Sequence, residues 1–127
     1  MEKYTIYCTK EQTTKALELG APIDYLYSTS DYIIAGRILK MKENNRVCHY
    51  GIPTTEQMLG WLRSQGFRFR IKDLEESTHW EVTIDGWMAD GELQTSKEAI
   101  LATINTTLKY LSNRQSNKVN YEKHIKI

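Results

Sequence analysis

The histidines and cysteines are the residues from which metal or thiol chemistry would be built. His49, His79 and His124 lie 30 and 45 residues apart, and none is at helical spacing from Cys8 or Cys48. Zinc ligands come in short paired spacings, so no metal site is predicted. Cys48 and His49 are adjacent, but neighbours on a strand point to opposite faces and do not share a proton. Both cysteines are expected to be free thiols, with a long-range disulfide as the alternative.

The glycines and the acidic residues are the candidates for two further functions, cofactor binding and carboxylate catalysis. The seven glycines form neither a P-loop nor a dinucleotide-binding fingerprint, so no cofactor is predicted. Five acids cluster in sequence and leave open a small hydrolase with paired carboxylates; they are Glu75, Glu76, Asp85, Asp90 and Glu92. Such clusters are usually solvated loop acids. The sequence therefore predicts no catalytic residue and favours a protein that is not an enzyme.

The tyrosines point towards binding. The chain has eight tyrosines and three tryptophans, and four of the tyrosines are concentrated in the irregular stretch from residue 25 to residue 50: Tyr25, Tyr27, Tyr32 and Tyr50. Aromatic side chains are enriched in binding hot spots because they bury a large area at low entropic cost. They also favour strands, so the alternative is that they line a sheet. We expect these four residues to contact a protein partner, whose identity the sequence does not give.

A basic stripe supports a second interpretation, nucleic-acid binding. Arg68, Arg70 and Lys72 alternate along one predicted strand, and Lys97 opens the last helix. The charge balance argues against it, because residues 53–112 carry six basic and nine acidic side chains. A net charge of +1 for the whole chain does not predict a polyanionic partner. Nucleic acid is therefore the alternative partner.

Residues 53–111 contain the strongest structural signals. Thr54 and Gln57 have capping-box spacing, and an apolar helical stripe follows. Two alternating runs then predict a hairpin across residues 73–78. In one register Lys72 lies opposite His79, and in the other it lies opposite Glu81; both keep one apolar and one charged face. The sequence does not choose between them.

The rest of this segment predicts a third strand and a long helix. Asp85-Gly86 and Asp90-Gly91 are both turn dipeptides, with a short strand somewhere between residues 87 and 94. Thr95 and Glu98 repeat the capping-box spacing. The apolar stripe of the last helix is Ile100, Ile104, Leu108 and Leu111. We expect it to cover the apolar face of the hairpin, which carries Phe67, Phe69, Ile71, Trp80, Val82 and Ile84.

The first half is less regular. Residues 3–8 predict a strand and residues 10–19 a capped helix that opens at Thr9. Residues 31–42 read as one strand or two with a bulge at Gly36, and residues 46–50 as the returning partner strand. After Leu111 a polar stretch leads to residues 118–127, whose alternation is typical of an added edge strand or of a disordered tail.

Together these elements predict a single α+β domain over residues 1–112, with a mostly antiparallel sheet and three helices. Residues 1–52 form a strand–helix–hairpin half and residues 53–112 a helix–strand–strand–strand–helix half, with the C-terminal helix across the sheet. Residues 113–127 are expected to form a polar basic tail or an added edge strand. The chain shows no signal-peptide pattern and no apolar run near 18 residues, so we expect a cytoplasmic protein without membrane contact.

Two resemblances add to this reading. Four segments resemble small uncharacterised proteins of phages and prophages from gut bacteria of the Bacteroidetes type: 7–12 (YCTKEQ), 16–22 (ALELGAP), 53–63 (PTTEQMLGWLR) and 95–99 (TSKEA). This resemblance implies a mobile-element accessory protein in a bacterial cell and brings no functional residues. The element order of residues 54–111, with Ser96-Lys97 opening the last helix, also looks like a double-stranded-RNA-binding domain. That family continues with further lysines, whereas this chain reads Lys97-Glu98.

Overall fold

The computed structural model describes the backbone of residues 5–125 and the side chains of residues 5–115. The chain forms two compact units that divide between Trp61 and Leu62. Both contain helix and antiparallel sheet, so the α+β class is confirmed. The described residues hold four helices where three were predicted, and two sheets, one of two strands and one of three. The assignment of residues 1–112 to a single domain stays a prediction.

The first unit opens with helix α1, Lys10–Glu18, as predicted. The Thr9 hydroxyl accepts from the Gln12 backbone N–H at 3.0 Å, and the Gln12 side chain accepts from the Thr9 N–H at 3.1 Å. This reciprocal pair is the complete capping box. The helix ends where Gly20 takes a φ of +94°, a conformation that glycine adopts without steric cost.

A two-stranded hairpin forms the sheet of the first unit. Strands β1 (Ile38–Glu43) and β2 (Arg46–Gly51) pair antiparallel, so the predicted returning strand is confirmed. Asn44 and Asn45 connect them with φ angles of 50° and 63°. Two consecutive left-handed residues make a type I′ turn, whose twist matches that of the flanking strands.

Two strand predictions in the first unit are wrong. Residues 31–34 belong to a short helix, α2 (Ser30–Ile34), because Ile33 and Ile34 are exposed and their apolar character does not reflect a buried strand. Of the predicted strand over residues 3–8, the described part forms only a bridge between Tyr7 and Thr54. That bridge ends at once because the opposing chain enters helix α3 (Thr55–Ser64). Residues 3 and 4 lie outside the described residues.

The second unit contains a three-stranded antiparallel sheet in the order β3-β4-β5. Its strands are β3 (Arg68–Asp73), β4 (Thr78–Ile84) and β5 (Trp87–Leu93). Lys72 lies opposite His79 and Phe69 opposite Val82, which is the first of the two predicted registers. The hairpin and the third strand are therefore confirmed.

Helix α4, Ser96–Ile125, packs on this sheet, as predicted. Val82 on the sheet and Ile104 on the helix are both fully buried. The Tyr110 ring stacks on Trp87 with the two centroids 4.0 Å apart, and meets the Phe67 ring edge-on at 6.0 Å. Each large apolar side chain buried in this way contributes about 1.5–3 kcal/mol.

Two predictions for the second unit are corrected. Asp85-Gly86 forms a turn, but Asp90-Gly91 lies inside β5. Gly91 sits opposite Trp80, and a Cβ there would lie 2.8 Å from the indole Nε1, so glycine makes room for the ring. Of the two alternatives given for residues 118–127, the edge strand is wrong as far as residue 125, because α4 continues to Ile125 without a glycine or proline to stop it. Residues 126–127 lie outside the described part. None of the described helices has both the length and the apolar character to cross a membrane.

We expect Gly91→Ala to destabilise the protein by about 1–3 kcal/mol, because the added methyl group must displace the Trp80 indole. Gly60→Ala is the matched control. Gly60 lies inside α3 with open space at its Cβ, so alanine is expected to stabilise the protein by about 0.5–1 kcal/mol. Urea unfolding measures both. Equal effects of the two substitutions would show that the Trp80 contact does not constrain residue 91.

Candidate functional site

Three of the four predicted tyrosines come together in the first unit. Residues 24–26 run antiparallel beside β2: the Leu26 N–H donates to the His49 carbonyl at 2.8 Å, and the Gly51 N–H donates to the Asp24 carbonyl at 3.0 Å. Tyr25 therefore lies directly opposite Tyr50, and residues paired in this way share a face of the sheet.

We call Tyr25, Tyr27 and Tyr50 the tyrosine cluster. The Tyr25 ring lies edge-on to Tyr27, with the centroids 5.2 Å apart, and edge-on to Tyr50 at 5.5 Å. This geometry suits the quadrupoles of aromatic rings. Tyr25 is 46% exposed and Tyr27 is 96% exposed, so the cluster presents aromatic surface to solvent rather than forming core.

Tyr50 is the fixed member of the tyrosine cluster. Its hydroxyl donates to the Glu43 carboxylate at 3.0 Å. Desolvation raises the pKa of Tyr50, and the negative charge of Glu43 raises it further. Tyr50 is thus held protonated and oriented, and Tyr25 rests against its ring.

The fourth tyrosine, Tyr32, lies elsewhere. Its ring packs over Gly51, on the face of the strand opposite to Tyr50, because neighbours on a strand alternate. The Arg37 guanidinium lies 5.5 Å from the Tyr32 centroid and 4.7 Å from that of Tyr7, and it donates to the Tyr7 hydroxyl at 2.8 Å. The structure therefore splits the predicted four-residue surface into a cluster of three and a separate Tyr32. Partner binding by any of them stays a prediction.

The basic stripe is exposed on β3, as its alternation predicts. Arg70 faces Glu81 across the pair, and β5 adds Asp90 and Glu92 beyond β4. The exposed face of the sheet is therefore basic along one edge and acidic along the other. On the same face, Nε2 of His79 on β4 lies within hydrogen-bonding distance, 3.3 Å, of the Asp90 carboxylate on β5. Lys97 belongs to α4 on the opposite face, so the structure does not bring it to the stripe.

A groove that was not predicted from the sequence lies at the β3 edge, and we call it the arginine groove. It has a volume of about 620 Å³, and its charged lining residues are Arg63, Arg68, Arg70 and Glu81. The Arg63 guanidinium lies 5.8 Å from the Phe69 centroid. Arg63 is in the last turn of α3, so only the chain reversal at Gly66 brings it to β3. The sequence signal for this contact was the position of Arg63 three residues before Gly66, the glycine at which the chain reverses.

The acids and thiols show no convergence. Glu75 and Glu76 lie in the β3–β4 turn and Asp85 in the β4–β5 turn, at opposite ends of a seven-residue strand about 20 Å long. This separation argues against the hydrolase interpretation. Cys48 pairs with Met41 and His49 with Lys40, so those two side chains point to opposite faces. Among the described side chains, no three histidine, cysteine or acidic groups form a metal-binding cluster.

Both cysteines are free thiols. Burial raises the pKa of the Cys8 thiol from 9.0 to about 12, and its S–H points to the Thr54 carbonyl at 3.8 Å. Cys48 is only half-buried. Since the thiolate is the reactive form, Cys8 is expected to be inert at neutral pH.

We expect iodoacetamide at pH 8 to modify Cys48 and to leave Cys8 unmodified, with both modified in urea; peptide mass spectrometry gives the two occupancies. Between pH 9 and 12 the unfolded chain has lost the Cys8 proton that the folded chain retains. Cys8 therefore makes stability fall as pH rises through that window. Cys8→Ala should flatten this fall. Rapid modification of native Cys8 would contradict the buried assignment.

Comparison of this chain with protein-family models, with curated proteins and with solved structures found no match. The resemblances to phage proteins and to double-stranded-RNA-binding domains therefore stay predictions. Any functional conclusion has to come from the surfaces described above.

Proposed function

We propose that this protein is a non-enzymatic binding module, of the mobile-element accessory kind, that contacts a protein partner through the tyrosine cluster. One observation carries the proposal: Tyr27, an aromatic ring 96% exposed to solvent, is supported at 5.2 Å by Tyr25. A ring in that position contributes almost nothing to the core. Its area is available for a partner.

Two members of the tyrosine cluster, Tyr25 and Tyr50, are also preorganised. The backbone of residues 24–26 is hydrogen-bonded to β2, and Tyr50 is tied to Glu43. Side chains that are ordered before binding lose little entropy when a partner covers them. Rigid aromatic anchors of this type dominate the energetics of many protein interfaces.

Removing the exposed ring gives a direct test. Wild-type protein and Tyr27→Ala are used to capture partners from lysate of gut Bacteroidetes, and the captured protein is then purified for calorimetry. Tyr27→Ala is expected to weaken binding by about 2 kcal/mol, or about 30-fold in Kd. Because Tyr27 is almost fully exposed, the variant should unfold at the same urea concentration as the wild type.

Met88→Ala is the matched control, since Met88 is another large apolar side chain, 58% exposed, in the other unit. It should bind the partner like the wild type. Equal Kd values for Tyr27→Ala and Met88→Ala would refute the role of the tyrosine cluster. Turnover of a substrate by the purified protein would refute the non-enzymatic assignment.

The arginine groove supports nucleic-acid binding as a second candidate function. Three arginines line it against a single glutamate, so the groove itself is positively charged. Guanidinium groups suit phosphate because they present several donors in a planar fork. Arg63 over the Phe69 ring adds a flat cationic surface next to the stripe.

A salt titration of RNA binding in a gel-shift assay tests this candidate. Arg68→Ala and Arg70→Ala should each reduce the slope of log K against log salt by about 0.9 on duplex RNA. Lys97→Ala is the control and should leave the slope unchanged, since Lys97 is not in the groove. Absence of salt-dependent binding at low ionic strength would remove the candidate.

A further inference from the structure

The first unit also contains a concave site. Of the residues that the sequence predicted to bind a partner, only Tyr32 lines it. It is a pocket of about 240 Å³. Its apolar walls are Ala21, Ile23, Ile52, Pro53, Met58 and Trp61. Pockets for drug-sized ligands are usually about 300–1,000 Å³, so this one suits a single side chain.

Gly51 makes room for the Tyr32 ring at the pocket wall. A Cβ at this position would lie 3.1 Å from Cε1 of Tyr32 and 3.7 Å from Cδ2 of Leu26. Gly51 is not among the residues with positive φ, so its backbone does not require glycine. The absence of a side chain is therefore explained by the space that the Tyr32 ring occupies at the pocket wall.

Asp24 and Gln57 are the polar side chains at this site. The Asp24 backbone is held by the hydrogen bond from Gly51, which fixes the residue at the pocket, and its side chain is exposed. Within the described part of the chain, Asp24 forms no salt bridge. Arg37, whose guanidinium lies over the Tyr32 ring, donates to the Tyr7 hydroxyl. The Gln57 side-chain oxygen accepts from the Thr54 N–H at 2.9 Å.

We propose that this pocket binds the side chain of a lysine or arginine in a partner peptide. The apolar walls would cover the methylene stem, as apolar surfaces do for basic side chains elsewhere in proteins. Asp24 supplies the opposite charge for the cationic head group, and Trp61 supplies an aromatic ring of the type that attracts cations. The site lies on the face of the strand opposite to the tyrosine cluster, so it goes beyond the proposed function and does not depend on it.

The test uses capped amino acids and needs no cellular partner. N-acetyl-lysine N-methylamide is titrated against ¹⁵N-labelled protein, and its uncharged counterpart N-acetyl-norleucine N-methylamide in parallel. The indole N–H of Trp61 reports binding, while those of Trp80 and Trp87, in the other unit, serve as internal references. The lysine probe is expected to bind about fivefold more tightly than the norleucine probe, as an exposed ion pair with an aromatic contribution allows.

Substitutions test separately the charge of Asp24 and the shape of the pocket. Asp24→Asn should bind the two probes equally, with norleucine affinity unchanged, whereas Asp31→Asn should keep the wild-type preference because Asp31 does not line the pocket. Gly51→Ala should weaken both probes by displacing Tyr32. A wild-type protein that prefers norleucine, or whose Trp61 signal moves with neither probe, would overturn the proposal. Loss of the preference in Asp31→Asn would do so too.

Discussion

The alternation of side chains along β4 is the constraint on which the second unit depends. Trp80, Val82 and Ile84 point to the face that α4 covers, and His79, Glu81 and Thr83 to the other. A slip by one residue would exchange the two sets, because the side-chain period of a strand is two. Burial of the first set therefore dictates exposure of the second. The basic edge at β3 and the acidic edge at β5 follow from it.

Local signals in the sequence were sufficient for the capped helices and for the hairpin. The capping pairs at Thr9 and Thr54 and the alternation over residues 67–84 concern neighbours in sequence, so they can be read without the fold. The role of Gly91 could not be read in this way, because the reason for the glycine is the Trp80 indole, eleven residues earlier and on another strand. Ile33 and Ile34 led to a wrong strand prediction for a related reason: their exposure is set by the tertiary fold, which the local sequence does not show.

The candidate sites were predicted only in part. The contacts that were not predicted join residues that lie far apart in the sequence. A concentration of tyrosines was visible, but separating Tyr32 from the others required the bridge that pairs Tyr25 with Tyr50. Arg63 joins Arg68 only after the chain reverses at Gly66. The pocket beside Asp24 depends on segments near residues 22, 51 and 58 coming together, and no pattern within one segment indicates it.

The polar residues in the buried stripe of α4 have a consequence for how this helix tolerates change. Thr103 and Thr107 are fully buried, and each hydroxyl donates at 2.7 Å to the carbonyl four residues earlier in its own helix. Because both hydroxyls donate within the helix, they need no hydrogen-bond acceptor from the rest of the core. At these two positions the surrounding core packs against a small branched side chain. Valine would present nearly the same contour at either position.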